Sequence, residues 1–218
     1  MKHKALTILL CLFAVLLILS GSIALPIYFR PFYYWQINPL QIPAITGYDR
    51  DTVIAAYDEV LDYLTLPGAT FGTGVFPHTP EGASHFADCR TLFAINTAVL
   101  FTSLAMVVLL SLLCHQRVFR LWYPRGRHVT HWIGSGVLTL GAVVSVLVAV
   151  NVDQAFEVFH RLFFPGKENW MFDPQADAII NALPMEFFVN CGLLIVGAVT
   201  VSSISLIIYG ALRKSTEK

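Results

Sequence analysis

The chain has 218 residues, of which 56% are hydrophobic and only 13% carry a charged side chain. This composition excludes an ordinary soluble globular domain, which needs more polar surface. The 14 basic and 14 acidic residues cancel, so the charge balance argues against nucleic acid as a partner. The sequence therefore predicts an integral membrane protein.

Four apolar runs lie at about 5–26, 91–113, 132–152 and 187–210, and each can cross a hydrocarbon core of about 30 Å as a helix. Helices suit such runs because lipid offers no water to backbone amides. We therefore expect an all-α membrane protein with a single domain over 1–218. It would consist of a bundle of four transmembrane helices and an extracytoplasmic helical cap.

The first run has a second interpretation, because it also resembles a secretory signal peptide that would be cleaved after Ala24. An uncleaved helix is favoured, since the apolar stretch is longer than a usual signal core. Four spans also place both basic termini on one side of the membrane.

Small residues are expected to let the spans approach each other closely. They are Gly134, Ser135, Gly136, Gly141, Gly192 and Gly197. The four spans contain neither a heptad seam nor a Gly-x-x-x-Gly pair, so they predict no particular oligomeric state.

The charges are distributed unevenly along the chain. Basic residues cluster at both ends and in the link between the second and third spans: Lys2, Lys4, Arg117, Arg120, Arg125, Arg127, Arg213, Lys214 and Lys218. The segments 27–90 and 153–186 hold 13 of the 14 acidic residues. Because positively charged links stay in the cytoplasm, we expect cytoplasmic termini and two outward-facing segments.

The first outward segment begins with aromatic residues around Arg30, among them Tyr33, Tyr34 and Trp35. Amphipathic rings favour the level of the lipid headgroups, so this belt is expected to anchor the chain in the interface. A lipid-binding rim is the alternative.

A helix that begins near Thr52, with Asp51 as its N-cap, is predicted by apolar residues of period 3.6. Its apolar face consists of Val53, Ala56, Tyr57, Val60, Leu61 and Leu64, and its acidic side of Asp58, Glu59 and Asp62. The acidic side is most simply a solvated surface. The glycine-rich stretch 66–77 that follows is expected to be a loop.

Thr79-Pro80 has the features of a helix start, and this helix is expected to run on into the second span. It places His85, Asp88 and Cys89 on one face, with Arg90 beside them. Cys89 is expected to pack as a small apolar residue.

The third span is expected to continue as helix through Phe163, which places Glu157 and His160 one turn apart. Each outward helix end thus carries a histidine with an acid one turn away. Such a carboxylate can fix the tautomer of the imidazole and raise its basicity. Asp173-Pro174 and Asp177 are expected to cap a short helix that runs through Leu183.

The residue pattern alone leaves the chemistry open. Gly134-Ser135-Gly136 lies away from the outward histidines, which disfavours a serine triad. There is no His-Glu-x-x-His motif or comparable zinc-ligand pair, so neither a metal nor another cofactor is predicted. For each histidine alone, the simple alternative is an interfacial residue that hydrogen-bonds its neighbouring acid.

Four blocks of sequence stand out around the outward helix ends. They are His85-Phe-Ala-Asp88-Cys-Arg90, Phe156-Glu-Val-Phe-His160 with Phe163-Phe-Pro-Gly166, Trp170-Met-Phe-Asp173-Pro174, and Leu183-Pro184-Met-Glu-Phe-Phe188. With the order of the spans, these blocks resemble the lipoprotein intramolecular transacylase family of Gram-positive bacteria.

The resemblance implies an acyltransferase of the cell membrane. Such an enzyme moves the sn-2 acyl chain of a diacylglyceryl-modified lipoprotein to the α-amino group of its N-terminal cysteine, which gives a lyso-form lipoprotein. The implied partners are this lipoprotein and membrane lipid. Because donor ester and acceptor amine belong to one substrate, the enzyme must position both and accept a proton, but needs no nucleophile of its own.

On this hypothesis His85 or His160 is the general base. His85 is favoured because Asp88 lies one turn further along the same helix. Asp88 and Glu157 would orient the two rings.

The other histidine, with Arg90 or Arg161, would stabilise the oxyanion. Aromatic side chains are expected to contact the acyl and glyceryl groups: Trp170, Phe163, Phe164, Tyr33, Tyr34 and Trp35. Two alternatives remain. One is a membrane-interface lipid hydrolase or metalloenzyme that uses the same histidines, and the other is a non-catalytic partner of lipoprotein processing.

Overall fold

The computed structural model describes residues 2–213 and contains only helices and loops within that range. The helices are α1 (Lys2–Tyr28), α2 (Pro31–Tyr34), α3 (Ile42–Thr46), α4 (Arg50–Thr65), α5 (Pro80–His115), α6 (Val129–Val150), α7 (Val152–Phe163) and α8 (Met185–Leu212). Two short 3₁₀ helices cover Pro124–Gly126 and Ala178–Ala182. The prediction of an all-α protein is confirmed. The basic residues Lys214 and Lys218, which entered the prediction of cytoplasmic termini, lie outside the described residues.

Four helices are long and apolar enough to cross a membrane: His3–Tyr28, Pro80–His115, Val129–Val150 and Met185–Leu212. At 36 residues, α5 exceeds the roughly 20 residues that a helix needs to span the hydrocarbon core. Its charged residues Glu81, Asp88 and Arg90 all lie within its first eleven positions. These first three turns therefore extend beyond the apolar stretch that begins at Thr91.

The described residues form two compact units. The first unit comprises the described parts of Met1–Ala24, Asn96–Val150 and Leu194–Lys218, and the second comprises Leu25–Ile95 and Asn151–Leu193. The first unit consists mainly of apolar helix and also contains the 116–128 connection with the 3₁₀ helix Pro124–Gly126. The second contains the shorter α-helices and the remaining loops.

In the first unit, α6 and α8 approach closely at Gly134 and again at Gly210, where an added Cβ atom would lie 2.6 Å from the backbone nitrogen of His131. A Cβ atom at Gly134 would lie 2.5 Å from the backbone oxygen of Ser203, so only glycine fits there without a shift of backbone. The predicted role of small residues is thus right for Gly134. It is wrong for Gly136, Gly192 and Gly197, where an added Cβ would meet no described atom within 4 Å.

In the second unit, α4 buries the apolar face that the sequence predicts. All six predicted residues are buried, and they join a core that includes Tyr33, Ile179 and Phe187. The predicted cap is wrong by two positions. Asp49, not Asp51, accepts a hydrogen bond from the Thr52 amide at 2.8 Å, so the helix begins one residue after Asp49.

The acidic side of α4 holds other parts of the second unit in place. Asp58 accepts a hydrogen bond from Arg30 at 3.0 Å, and Asp62 pairs with the same guanidinium group. Glu59 accepts a hydrogen bond from the Gly74 amide at 2.7 Å, which fastens the 66–77 loop. The prediction of a merely solvated acidic surface is therefore wrong.

The start of α5 is fixed from two directions. Thr79 caps it, as predicted, by accepting a hydrogen bond from the Gly82 amide at 3.0 Å. The carboxylate of Asp177 accepts hydrogen bonds from the amide and hydroxyl of Thr79. The prediction that Asp177 caps its own short helix is wrong, because its oxygens bind Thr79 and make no cap hydrogen bond there.

The predicted continuous helix through Phe163 is interrupted at Asn151. There α6 ends at Val150 and the backbone becomes extended. The Asn151 side chain accepts a hydrogen bond from the Gln154 amide at 3.0 Å and caps a new helix, α7. This separate helix carries His160 in the second unit.

Candidate active site

Two histidines from different helices meet in the second unit. His85 of α5 and His160 of α7 have ring centroids 5.7 Å apart, and both residues are only 6% exposed. Buried imidazoles at this separation are close enough to influence each other's protonation. The structure thus brings together the two residues that the sequence analysis placed at the centre of the site.

Aromatic side chains enclose the two imidazoles. Trp170 stacks on His160 with centroids 4.7 Å apart, and Phe156 lies 4.2 Å from the same ring. Phe164 and Phe172 stand edge-on to His85 at 4.9 and 5.4 Å. Of these four residues, the sequence analysis named Trp170 and Phe164 as site residues. Phe156 lies four residues before His160 on the same helix, and this spacing would have identified it.

The hydrogen bond of His160 defines its tautomer. Its Nδ1 lies 2.8 Å from the backbone oxygen of Phe156, and because a carbonyl oxygen only accepts, Nδ1 carries the hydrogen. Burial lowers the pKa of His160, and the hydrogen bond to Phe156 opposes this effect only in part. A neutral ring in this tautomer has a lone pair on Nε2, which is the atom that can accept a proton.

His85 is held differently. Its Nε2 lies 3.4 Å from the Cys89 sulfur, and its Nδ1 is buried without a hydrogen-bond partner among the described residues. Burial lowers the pKa of His85 to about 4, and the nearby His160 adds to this effect. Burial also raises the pKa of the Cys89 thiol to about 12. A protonated thiol beside a neutral imidazole donates to Nε2, which leaves the hydrogen on Nδ1.

Asp88 does not contact the imidazole that it was expected to orient. Its carboxylate pairs with Lys167 and accepts a hydrogen bond from the Asn169 side chain at 3.1 Å. Partial burial raises the pKa of Asp88, but the hydrogen bonds from Lys167 and Asn169 outweigh it and bring the pKa below its ordinary value. The Asp88 carboxylate is therefore occupied by residues that lie about 80 positions later in the chain.

The other charged candidates pair with groups other than the imidazoles. Glu157 pairs with Arg161 at 2.6 Å, and both side chains are largely exposed. Arg90 donates to the backbone oxygens of Leu66 and Ala69 and lies over the ring of Tyr63. It therefore fastens a loop.

The remaining aromatic candidates fall into three environments. Tyr33 is 1% exposed and donates its hydroxyl to the backbone oxygen of Ala182 at 2.7 Å, so it is a core residue. Tyr34 donates to Asp58 at 2.6 Å. Trp35 and Phe163 are exposed. A cluster of aromatic residues in a sequence does not distinguish these environments, because each environment depends on partners far along the chain.

Within residues 2–213, there is no group of three or more histidine, cysteine, aspartate or glutamate side chains arranged to hold a metal ion.

Four apolar helices and a buried pair of imidazoles define an integral membrane protein with groups suited to proton transfer. The family model for lipoprotein intramolecular transacylase Lit matches residues 8–188, which is most of the chain. The protein therefore belongs to the lipoprotein intramolecular transacylase family, and it is an acyltransferase of the membrane.

Solved structures have the same fold. The membrane integral lipoprotein intramolecular transacylase Lit from Bacillus cereus is 20% identical over 95% of this chain and 94% of its own, with a TM-score of 0.86. Its H85R and H85A variants, in that protein's numbering, are each 21% identical over 95% of this chain and have TM-scores of 0.78. These two matches cover 91% and 93% of the variant chains. A search among curated protein sequences finds no match.

Proposed function

We propose that the protein moves the sn-2 acyl chain of a diacylglyceryl-modified lipoprotein onto the α-amino group of the N-terminal cysteine of the same molecule. The product is an N-acyl, S-monoacylglyceryl lipoprotein. The observation that carries this proposal is the buried pair of neutral imidazoles, one of which presents a lone pair at a defined atom. The family supplies the substrate class, and the pair supplies the proton chemistry that an acyl shift requires.

An acyl shift within one substrate needs no nucleophile from the enzyme. The amine attacks the ester carbonyl directly, so the protein has to bring these groups together and remove a proton. The thiol nearest to the imidazoles fits this scheme, because burial raises the pKa of Cys89 to about 12 and keeps it protonated at neutral pH. A protonated, buried thiol is a poor nucleophile.

We assign the role of general base to His160. Its Nδ1–H is held by the Phe156 carbonyl, and Nε2 is left to accept a proton from the attacking amine. His85, which the sequence analysis favoured, is less suitable because a pKa of about 4 lies far below neutral pH. The reason for favouring it was Asp88, and that carboxylate binds Lys167 and Asn169 instead.

His85 then serves as the hydrogen-bond donor. With Cys89 on its Nε2, its Nδ1–H has no partner among the described residues and can donate to the oxyanion of the tetrahedral intermediate. The intermediate collapses as the bond between the carbonyl carbon and the glycerol oxygen breaks. His160 returns its proton to that oxygen, so the new amide and the free hydroxyl account for all atoms.

The substrate would reach the site from the outer leaflet. The segments 27–90 and 153–186, which include both histidines, hold 13 of the 14 acidic residues. With spans at about 5–26, 91–113, 132–152 and 187–210, the positive-inside rule places these segments outside and the termini in the cytoplasm. Trp170 and Phe164, which contact the imidazoles, would form the wall for the glyceryl and acyl groups, and exposed Phe163 and Trp35 would contact membrane lipid.

An isotope experiment tests the proposal. The purified protein in detergent is mixed with a diacylglyceryl lipopeptide that carries a ¹³C-labelled acyl chain only at the sn-2 position, and the products are fragmented by mass spectrometry. The proposal predicts labelled acyl on the cysteine nitrogen and one unlabelled chain on the glycerol. Labelled free fatty acid without labelled amide would overturn it in favour of a hydrolase.

A further inference from the structure

The segment 164–172, which follows α7, supplies three of the aromatic rings around the imidazoles. Phe164 and Phe172 stand edge-on to His85, and Trp170 stacks on His160. We name it the aromatic segment. It has no helix of its own, so its position depends on individual hydrogen bonds.

Within the aromatic segment, the backbone holds the indole in place. Trp170 donates its Nε1–H to the backbone oxygen of Lys167 at 3.1 Å, and the Met171 amide donates to the backbone oxygen of Glu168 at 3.1 Å. Gly166 has φ of +73°, which favours glycine at the turn. The position of the Trp170 ring is thus tied to the position of Lys167.

Lys167 and Asn169 fasten the aromatic segment to α5. The Lys167 ammonium pairs with one oxygen of the Asp88 carboxylate, and the Asn169 amide donates to the other at 3.1 Å. The same amide group lies 3.4 Å from the Ser84 hydroxyl. Among the described residues, Lys167 has no second carboxylate within ion-pair distance. One carboxylate therefore connects the aromatic segment to the helix that carries His85.

We propose that Asp88 is a positioning residue that acts through Lys167 and Asn169, and that these two residues keep the aromatic segment closed over both imidazoles. This role differs from orientation of His85 by Asp88. It rests on the proposed function, because it assumes that the two histidines perform the chemistry. The ion pair keeps Trp170 against His160 and Phe164 against His85. This contact excludes water and fixes the positions of the imidazoles relative to the substrate.

Charge reversal distinguishes this role from a direct one. In D88K the carboxylate is replaced by a second ammonium group that repels Lys167, and in K167D two carboxylates face each other. The double variant D88K/K167D restores an ion pair between the same positions with opposite polarity. If Asp88 acts only by holding Lys167, the double variant recovers what each single variant loses.

The experiment measures kcat and KM for the lipopeptide with the wild type, both single variants, the double variant and the control R50Q. R50Q removes an exposed charge that pairs with exposed Asp51 and donates to the backbone oxygen of Tyr34 at the surface. We expect each single variant to lower kcat by about tenfold or more, the double variant to recover most of that loss, and R50Q to equal the wild type.

A spectroscopic readout reports the aromatic segment without catalysis. In a W35F/W122F/W132F background, Trp170 is the sole tryptophan. We expect higher acrylamide quenching of its fluorescence in D88K and K167D, and quenching close to the parent value in the double variant.

These measurements remain interpretable if the wild type fails to transfer the labelled chain, so failure of the proposed function is separable from failure of this inference. A double variant that restores the shielding of Trp170 but is as inactive as the single variants would overturn the inference, as would unchanged quenching in both single variants.

Discussion

His85 makes the stability of the protein depend on pH in a defined direction. Burial lowers its pKa in the fold from 6.5 to about 4, so the folded protein binds a proton at this ring more weakly than the unfolded chain does. The contribution of the neutral, buried His85 ring to the free energy of unfolding is complete above pH 6.5 and is lost as the pH falls towards 4. We therefore expect acid to destabilise the wild type more than a variant without this ring.

The size of the effect follows from the pKa. A tenfold change in proton affinity is worth about 1.4 kcal/mol, so a pKa that falls from 6.5 to about 4 corresponds to about 3 kcal/mol. His85 is 6% exposed, so solvent screens this effect little. In a chain of this size, about 3 kcal/mol shifts the melting temperature by roughly 6–12 °C.

The assay is thermal unfolding of the detergent-solubilised protein between pH 7 and pH 4, with H85Q as the comparison. Carboxylates such as Asp88 also lose stabilising interactions in acid, but they are present in both proteins, so the difference isolates His85. Burial also lowers the pKa of His160, but His160 is present in both the wild type and H85Q. If the melting temperature of H85Q falls with pH as steeply as that of the wild type, His85 is not the source of the acid sensitivity.

Two further predictions concern packing. Y33F removes the hydroxyl that donates to the buried Ala182 oxygen, and we expect a loss of about 1–3 kcal/mol in the free energy of unfolding; an unchanged melting temperature would contradict this hydrogen bond. G134A places a methyl group 2.5 Å from the Ser203 backbone oxygen and is expected to destabilise by about 1–3 kcal/mol. The matched control G136A meets no neighbouring atom and should be neutral or slightly stabilising, and equal melting temperatures for both variants would count against close packing at Gly134.

The membrane helices and the buried face of α4 were predictable because each depends on local periodicity. Apolar length identifies a span without knowledge of its neighbours, and a period of 3.6 identified all six buried positions of α4. The break at Asn151 was missed because an apolar run followed by an amphipathic one reads as a single helix. The signal available in the sequence was Asn151 itself, because asparagine is favoured at helix N-caps.

The partners of the charged residues were not predictable in the same way. Asp88 lies one turn from His85, and helical spacing favoured a contact between them. Its carboxylate nevertheless binds Lys167 and Asn169, which only the tertiary fold brings near. Tyr33 was expected at the lipid interface but is buried, because its hydroxyl binds the backbone oxygen of Ala182. Ala182 lies 149 residues later in the chain, so local sequence does not reveal this contact. Sequence spacing gives the face of a helix, but not what covers that face.

The central claim is that the His160 Nε2 accepts the proton from the substrate amine. Its most direct test is the rate at which the N-acyl product forms in H160Q, measured by mass spectrometry with saturating lipopeptide and with R50Q as control. We expect H160Q to form the product about 10²–10⁴-fold more slowly than the wild type, and R50Q to match the wild type. Product formation by folded H160Q at the wild-type rate would contradict it.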